Sequence, residues 1–227
     1  QGTGTLTLTG GSHTYGGATQ ILSGALALSG AGSVAQSSAV RLDGTGTFDI
    51  SASTSDQTIR DLSGGIDGRI VLGNRTLTAG TSNDTTFSGI ISGDGGFTKQ
   101  GTGRLIFEGA SVHTGTTTIA AGTLALAGGG SVSESNGVSI ASGATFDVSG
   151  VTSATAIRNL VGEGTVVLGT KELQITQAAG EFAGSIAGSG SGTALSVLGG
   201  TLTLTGASTY TGNTSVGFLS TLVLTAG

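Results

Sequence analysis

From Gly101 to Leu126 the chain reads GTGRLIFEGASVHTGTTTIAAGTLAL. Leu105 and Phe107 alternate with Arg104, Ile106 and Glu108, and Leu124 and Leu126 alternate with Thr123 and Ala125. Between them lies a run of small and polar residues in which Ile119 is the one strong hydrophobe. Period-two alternation buries one face of a strand, so the stretch predicts two short strands joined by a turn. Closely similar text stands at Gly2 to Leu28 and at Gly199 to Leu224.

Matching landmarks give the spacing of these copies. Leu6 and Leu105 are 99 apart, Phe48 and Phe146 98, Arg60 and Arg158 98, Leu72 and Leu168 96, Phe87 and Phe182 95, and Leu105 and Leu202 97. The chain therefore holds internal repeats at about 2–100 and 101–198 with a partial third at 199–227, a unit of roughly 97 residues. Drifts in the offset are small insertions or deletions, which belong in turns. Finer strand-like snippets recur within each unit: Leu26 to Leu28, Val40 to Leu42, Phe48 to Ile50, Ile59 to Leu62, Ile70 to Leu72 and Phe87 to Ile91 in the first. Val138 to Ile140, Phe146 to Val148, Val166 to Leu168, Leu173 to Ile175 and Phe182 to Ile186 follow in the second. Short strands punctuated by Gly, Ser, Asn and Asp are turn-rich β-structure, and no segment sustains a helical period.

A sandwich and a parallel β-helix both suit such a pattern. The helix fits better, because each rung stacks on a similar rung and the sequence therefore repeats. Rungs of about 20 to 25 residues give about ten rungs, stacked at ~4.8 Å into a rod of ~50 Å. The expectation is an all-β chain, 1–227, forming a single solenoid. Thr5, Thr7 and Thr9 suit its solvated side.

Composition narrows the function classes. Forty-five of 227 residues are Gly, only 9% are charged, and Pro, Cys, Met and Trp are absent. The regular recurrence of Leu, Ile, Val and Phe argues against the disorder that so much Gly and Ser could suggest. A net charge of −5 without a basic stripe disfavours nucleic acid and anionic lipid as partners. No apolar run is long enough for a membrane-spanning helix. The chain opens at Gln1 and stops at Gly227 in the middle of its motif, which reads as a piece of a longer protein. Absence of Cys suits a chain that must stay unfolded while crossing an oxidising space.

The phrase GTLTLTGASTYTGNTSV, Gly200 to Val216, resembles the autotransporter-associated β-strand repeat of Gram-negative surface proteins. The motif falls on Gly200, Leu202, Leu204, Gly206, Tyr210, Gly212 and Thr214, and in the first copy on Gly4, Leu6, Leu8, Gly10, Tyr15, Gly16 and Thr19. The middle copy has Gly103, Leu105, Phe107, Gly109, Gly115 and Thr117, with His113 at the Tyr position. The resemblance implies a right-handed parallel β-helix passenger, delivered to the cell surface by a C-terminal outer-membrane barrel that this sequence does not contain. It implies roles in adhesion, autoaggregation or biofilm formation, and supplies no catalytic residue.

The residues themselves point to little chemistry. His13 and His113, the two histidines, sit in corresponding turns and read as solvent-facing. Ser12 adjoins His13, but no G-x-S-x-G elbow accompanies them. Asp49 and Asp147 occupy one place in the repeat and are expected on the outer face, four or five rungs apart, too far for a glycosidase pair. Asp56 and Asp61 are possible lateral neighbours of Asp49, though Asp61 becomes Asn159 in the second unit. Gly93-Asp94-Gly95-Gly96 shares a fragment with a Ca²⁺-binding repeat but reads as a turn. Arg60 and Arg158 are expected to pair with Asp61 or with a neighbouring rung. The three Asn-x-Ser/Thr matches, at Asn74, Asn83 and Asn213, carry no weight in so Ser/Thr-rich a chain. No catalytic, cofactor-binding or metal-binding residue is assigned. The expected partners are the chain itself, by lateral self-association, or host and matrix surface receptors. Three roles remain open: an adhesive module, a passive stalk and, least favoured, an enzyme acting on polysaccharide.

Overall fold

The computed structural model describes residues 2–11 and 13–225. Gln1, Ser12, Ala226 and Gly227 lie outside it, and with them the expectations placed on Ser12 and on the two chain ends. The described residues form short strands and no helix. The strands pair in parallel and coil into a β-solenoid of about 11 turns, one more than the sequence suggests.

Each turn visits three faces in a fixed order. Thr85–Phe87 lies on face one, Ile90–Ser92 on face two and Phe97–Lys99 on face three, and Arg104–Phe107 returns to face one. Face one is a nine-stranded sheet from Thr19–Gln20 to Ser185–Gly188. Face three is also nine-stranded, from Gln57–Thr58 to Ser220–Leu224. Face two starts as five strands, Thr5–Leu8 to Ile90–Ser92, passes through a bridge between Ala110 and Ser131, and resumes as four strands from Thr155–Ile157 to Asn213–Val216.

Parallel register stacks like on like. Leu105, Leu124, Phe146, Val166 and Ile186 form one inward column on face one, each 0 or 1% exposed. Phe107 sits at the centre of the core, its ring centroid 5.0 Å from that of Phe97 and 6.3 Å from that of Phe87. Truncating one such side chain to Ala costs about 2–5 kcal/mol. The outward row on face three is polar: Thr58, Thr78, Thr98, Thr118 and Ser139 lie side by side on five successive turns.

Local expectations need revising in two places. Arg104–Phe107 and Thr123–Gly128 are not joined by a simple turn; they are neighbours in one parallel sheet, a full coil apart, with Thr117–Ile119 between them on another face. The snippets Ile59 to Leu62, Phe87 to Ile91 and Phe182 to Ile186 are not single strands, because each rounds a corner between two faces. Their alternation hides the corner, since a corner residue such as Ile59 can also point inward and be buried.

The repeat is not a whole number of turns. Its opening strand is Thr5–Leu8 on face two, Arg104–Phe107 on face one and Gly200–Leu204 on face three. Five full turns above Thr5–Leu8 the chain reaches the segment at Ala110, so Arg104–Phe107 arrives one face early. The unit therefore spans four and two-thirds turns, and equivalent residues of successive copies point from different faces. Asp49, on Thr47–Ser53, faces outward from face two, whereas Asp147, on Thr145–Val151, belongs to face one.

Candidate functional site

The repeat motif builds a corner clamp. Tyr15 Oη lies 2.6 Å from Thr19 Oγ1, four residues on, and Tyr210 Oη lies 2.7 Å from Thr214 Oγ1. In the middle copy His113 Nε2 lies 3.0 Å from Thr117 Oγ1. The clamp continues to the next turn through a serine. Thr19 N and Oγ1 donate to Ser37 Oγ at 3.0 and 2.9 Å, and Ser37 Oγ bonds the carbonyls of Gly17 and Ala39. Thr117 and Ser135 repeat the arrangement with the carbonyls of Gly115 and Gly137. Since Thr117 gives its hydroxyl proton to Ser135, His113 donates through Nε2–H. The first two clamps along the chain tie the corner leading into a strand to the turn above it, satisfying polar groups that burial would otherwise penalise.

Motif glycines serve the same stacking. A Cβ at Gly109 or Gly206 would collide with the carbonyl oxygen of Gly89 or Gly184 in the turn below, so these positions admit no side chain.

His113 is fully buried, with no exposed surface, rather than solvent-facing. The turn above closes over it, and burial lowers its pKa to about 4. His13 is half-buried, and its backbone N–H donates to Ser33 O at 3.2 Å. Among the described residues no carboxylate bonds either imidazole, so the His–carboxylate arm of a triad is not formed there.

Asp147 also departs from the expected solvated surface: it is 8% exposed. Arg104 Nη1 lies 2.8 Å from Asp147 Oδ2, and Ser149 N and Oγ donate to Oδ1 at 2.9 and 2.6 Å. Burial opposes this carboxylate's charge, but the Ser149 bonds and the Arg104 guanidinium outweigh it and hold the pKa below the usual range. Among the described residues Asp49 accepts only from the Ser51 N–H, at 2.9 Å. Asp56 accepts from Thr76 N and Asp61 from Thr81 Oγ1 and Asn83 Nδ2. These three aspartates stand on or beside three different faces and do not gather.

Most other candidates stitch adjacent turns. Asp94 forms a bend and accepts from Thr114 Oγ1 at 3.0 Å, while Asp84 accepts from Arg104 N at 2.7 Å. Arg158 pairs with Glu134 of the preceding turn at 3.0 Å. Arg60 makes no ion pair among the described residues, and no group of three or more His, Cys, Asp or Glu among them is placed to hold a metal.

Three features escape the sequence reading. Ser37 and Ser135 are 1% exposed, and their 98-residue spacing is the signal that marks them. The Arg104–Asp147 pair crosses two turns, a relation no local pattern encodes. Lys99 points inward in a column with Ala79 and Ile119 and is 1% exposed. Its Nζ donates to the carbonyls of Gln100, Gly101 and Ala121 at 2.7, 2.8 and 3.3 Å. Burial lowers its pKa, and Asp84 partly offsets that. Alternation alone places Lys99 among core positions, in phase with Phe97.

Comparison with known proteins fits this architecture. The model of the passenger-associated-transport-repeat family matches residues 1–28, 97–126 and 199–217, the segments that carry the three clamps. Over 141 residues the chain is 38% identical to the adhesin BmaC autotransporter of Brucella suis biovar 1 (strain 1330). That alignment covers 59% of this chain and 4% of the relative, so the chain spans only a small fraction of the relative's length. No solved structure matches. Three matches to this family, wound into a parallel solenoid, and the likeness to an adhesin autotransporter support a cell-surface autotransporter passenger with repeats.

Proposed function

We propose that the chain is an adhesive stretch of a surface passenger and not an enzyme. It makes weak lateral contacts with copies of itself, or with receptors on host cells and matrix, and a C-terminal outer-membrane barrel of the full-length protein delivers it. The row of Thr78, Thr98, Thr118 and Ser139 on face three carries this reading. Their strands present no outward charge, because Lys99 points into the core. Two rods of net charge −5 can approach along such a face with little repulsion. Single polar contacts contribute about 0.5–1.5 kcal/mol, and repetition along the rod multiplies them. The adhesin relative agrees with this reading. Because successive copies face different ways, one side of the rod cannot be a single run of identical sites; adhesion is spread around it.

A stalk is the second reading. It draws support from the carboxylates that bond the next turn, such as Asp56, Asp84 and Asp94, which stiffen the rod. Display of the full-length protein on cells separates the two. Adhesion predicts that cells clump or bind matrix, and that Thr78→Asp, Thr98→Asp and Thr118→Asp together disperse them. Cells that neither clump nor bind matrix with the unaltered passenger leave the stalk.

A further inference from the structure

The two copies of the repeat differ by two residues at one corner. Leu62 and Leu160 are 98 apart, whereas Ile70 and Val166 are 96 apart. In the second copy Glu163-Gly164 alone joins Leu160–Gly162 to Thr165–Gly169. In the first, Gly65-Ile66-Asp67-Gly68 joins Asp61–Gly64 to Arg69–Val71, closed by Gly68 N donating to Gly65 O at 3.1 Å. At its apex Ile66 is 76% exposed, the most exposed large hydrophobe outside the two end turns. A single exposed hydrophobe is ordinary on a protein surface; what sets Ile66 apart is the groove that its turn borders.

The next two turns round this corner with only two residues each, Ser88-Gly89 and Glu108-Gly109. The rod surface therefore steps back beside Ile66. The step leaves an open groove of about 450 Å³, lined by Ile66, Ile90, Gly109 and Ala110 with Ser88 and Glu108. Ser88 Oγ donates to Glu108 Oε2 at 2.6 Å, which fixes the carboxylate at the rim. Among the described residues no cation pairs with Glu108, since the ion pairs are Arg104–Asp147 and Arg158–Glu134.

We infer that this groove binds a lysine side chain of a protein partner, with its stem on Ile66, Ile90 and Ala110 and its ammonium on Glu108. An aliphatic stem with a charged tip matches an apolar floor ending in an unpaired carboxylate. The groove has room for one or two side chains, and the net charge of −5 draws basic segments toward it. Arg69 stands in register beside Ile90, so the cation enters at the Glu108 end. The site lies apart from the threonine row of face three and does not depend on the lateral contact proposed above.

The test is an NMR titration of the isotope-labelled chain with the tripeptide acetyl-Leu-Lys-Leu-amide, and with its counterpart carrying norleucine for lysine. Saturable shifts should be confined to the amides around Ile66, Ile90, Gly109 and Ala110. The norleucine peptide and Glu108→Gln should each weaken binding about threefold, as loss of an exposed ion pair does. Ile66→Ser should abolish it, and so should deletion of Ile66 and Asp67, which restores the short corner of the second copy. Both changes lie on an exposed turn, so the remaining spectrum should persist. No saturable shift up to about 10 mM peptide, tenfold above a millimolar Kd, overturns the inference. Equal binding of the two peptides overturns it as well, and so do shifts scattered over the acidic surface.

Discussion

Arg104 bridges two turns of the solenoid to reach Asp147, with Nη1 2.8 Å from Oδ2. Between their strands lies Thr123–Gly128, whose Ala125 is in register with Asp147 and has no exposed surface. A small residue there lets the guanidinium pass over it. The side chain of Arg104 is 39% exposed and that of Asp147 11%, so solvent reaches the pair from the arginine side and its coupling should be modest, about 0.5–1 kcal/mol after screening. A double-mutant cycle of Arg104→Ala and Asp147→Asn in urea should return that value. Because the folded pKa of Asp147 is depressed, its contribution is present above the unfolded value and fades as pH falls through the folded one. Asp49→Asn, at the equivalent position without an ion pair, should leave stability nearly unchanged.

His113 gives a second pH signature. Its folded pKa is about 4 against an ordinary 6.5. Between those values the unfolded chain takes up a proton that the folded chain refuses, so stability is complete above about pH 6.5 and declines toward pH 4, by up to about 3 kcal/mol. His113→Tyr should flatten the upper part of that decline, from pH 6.5 to 5, where carboxylates titrate little. Tyrosine already makes the same bond at Tyr15 and Tyr210. Urea midpoints across that range for the two proteins check it; parallel curves would mean that His113 is not the titrating group.

Lys99 should be costly to truncate. Lys99→Ala leaves a cavity and frees three carbonyls at one corner, for an expected loss of about 3–5 kcal/mol. Lys99→Met restores the volume but not the donors, and should recover part of that loss. Thermal melts of the two variants and the unaltered chain check the order: equal melts of the two variants would mean that the cavity contributes nothing, and a Lys99→Met melt equal to that of the unaltered chain would mean that the carbonyl bonds contribute nothing.

The sequence discloses the strands, the inward columns and the repeat because stacked rungs demand like residues at like spacing; Leu105, Leu124 and Phe146 are legible for that reason. It discloses the Tyr15, His113 and Tyr210 positions of the clamp but not the burial of His113, because a turn looks solvated until the turn above it is placed. Asp147 departs from its expected solvated place for the same reason, its partner being 43 residues away. Sequence spacing also conceals the faces. A 97-residue unit divides into turns only when the length of each turn is known, and turns here vary from 18 to 23 residues, as between Thr155 and Leu173 and between Gly64 and Phe87.

Cysteine cross-linking tests the central claim, that the repeat advances four and two-thirds turns and so turns each copy to a new face. The chain has no cysteine of its own. Thr86 and Ile106 are in register as outward neighbours on face one, while Ser92 belongs to face two. Adjacent parallel strands stand ~4.8 Å apart, within disulfide reach. Mild oxidation should close a disulfide rapidly in the Thr86→Cys, Ile106→Cys double variant and not in the Ser92→Cys, Ile106→Cys one. If the second pair closes and the first does not, the repeat spans a whole number of turns and its copies stand in line along one side of the rod.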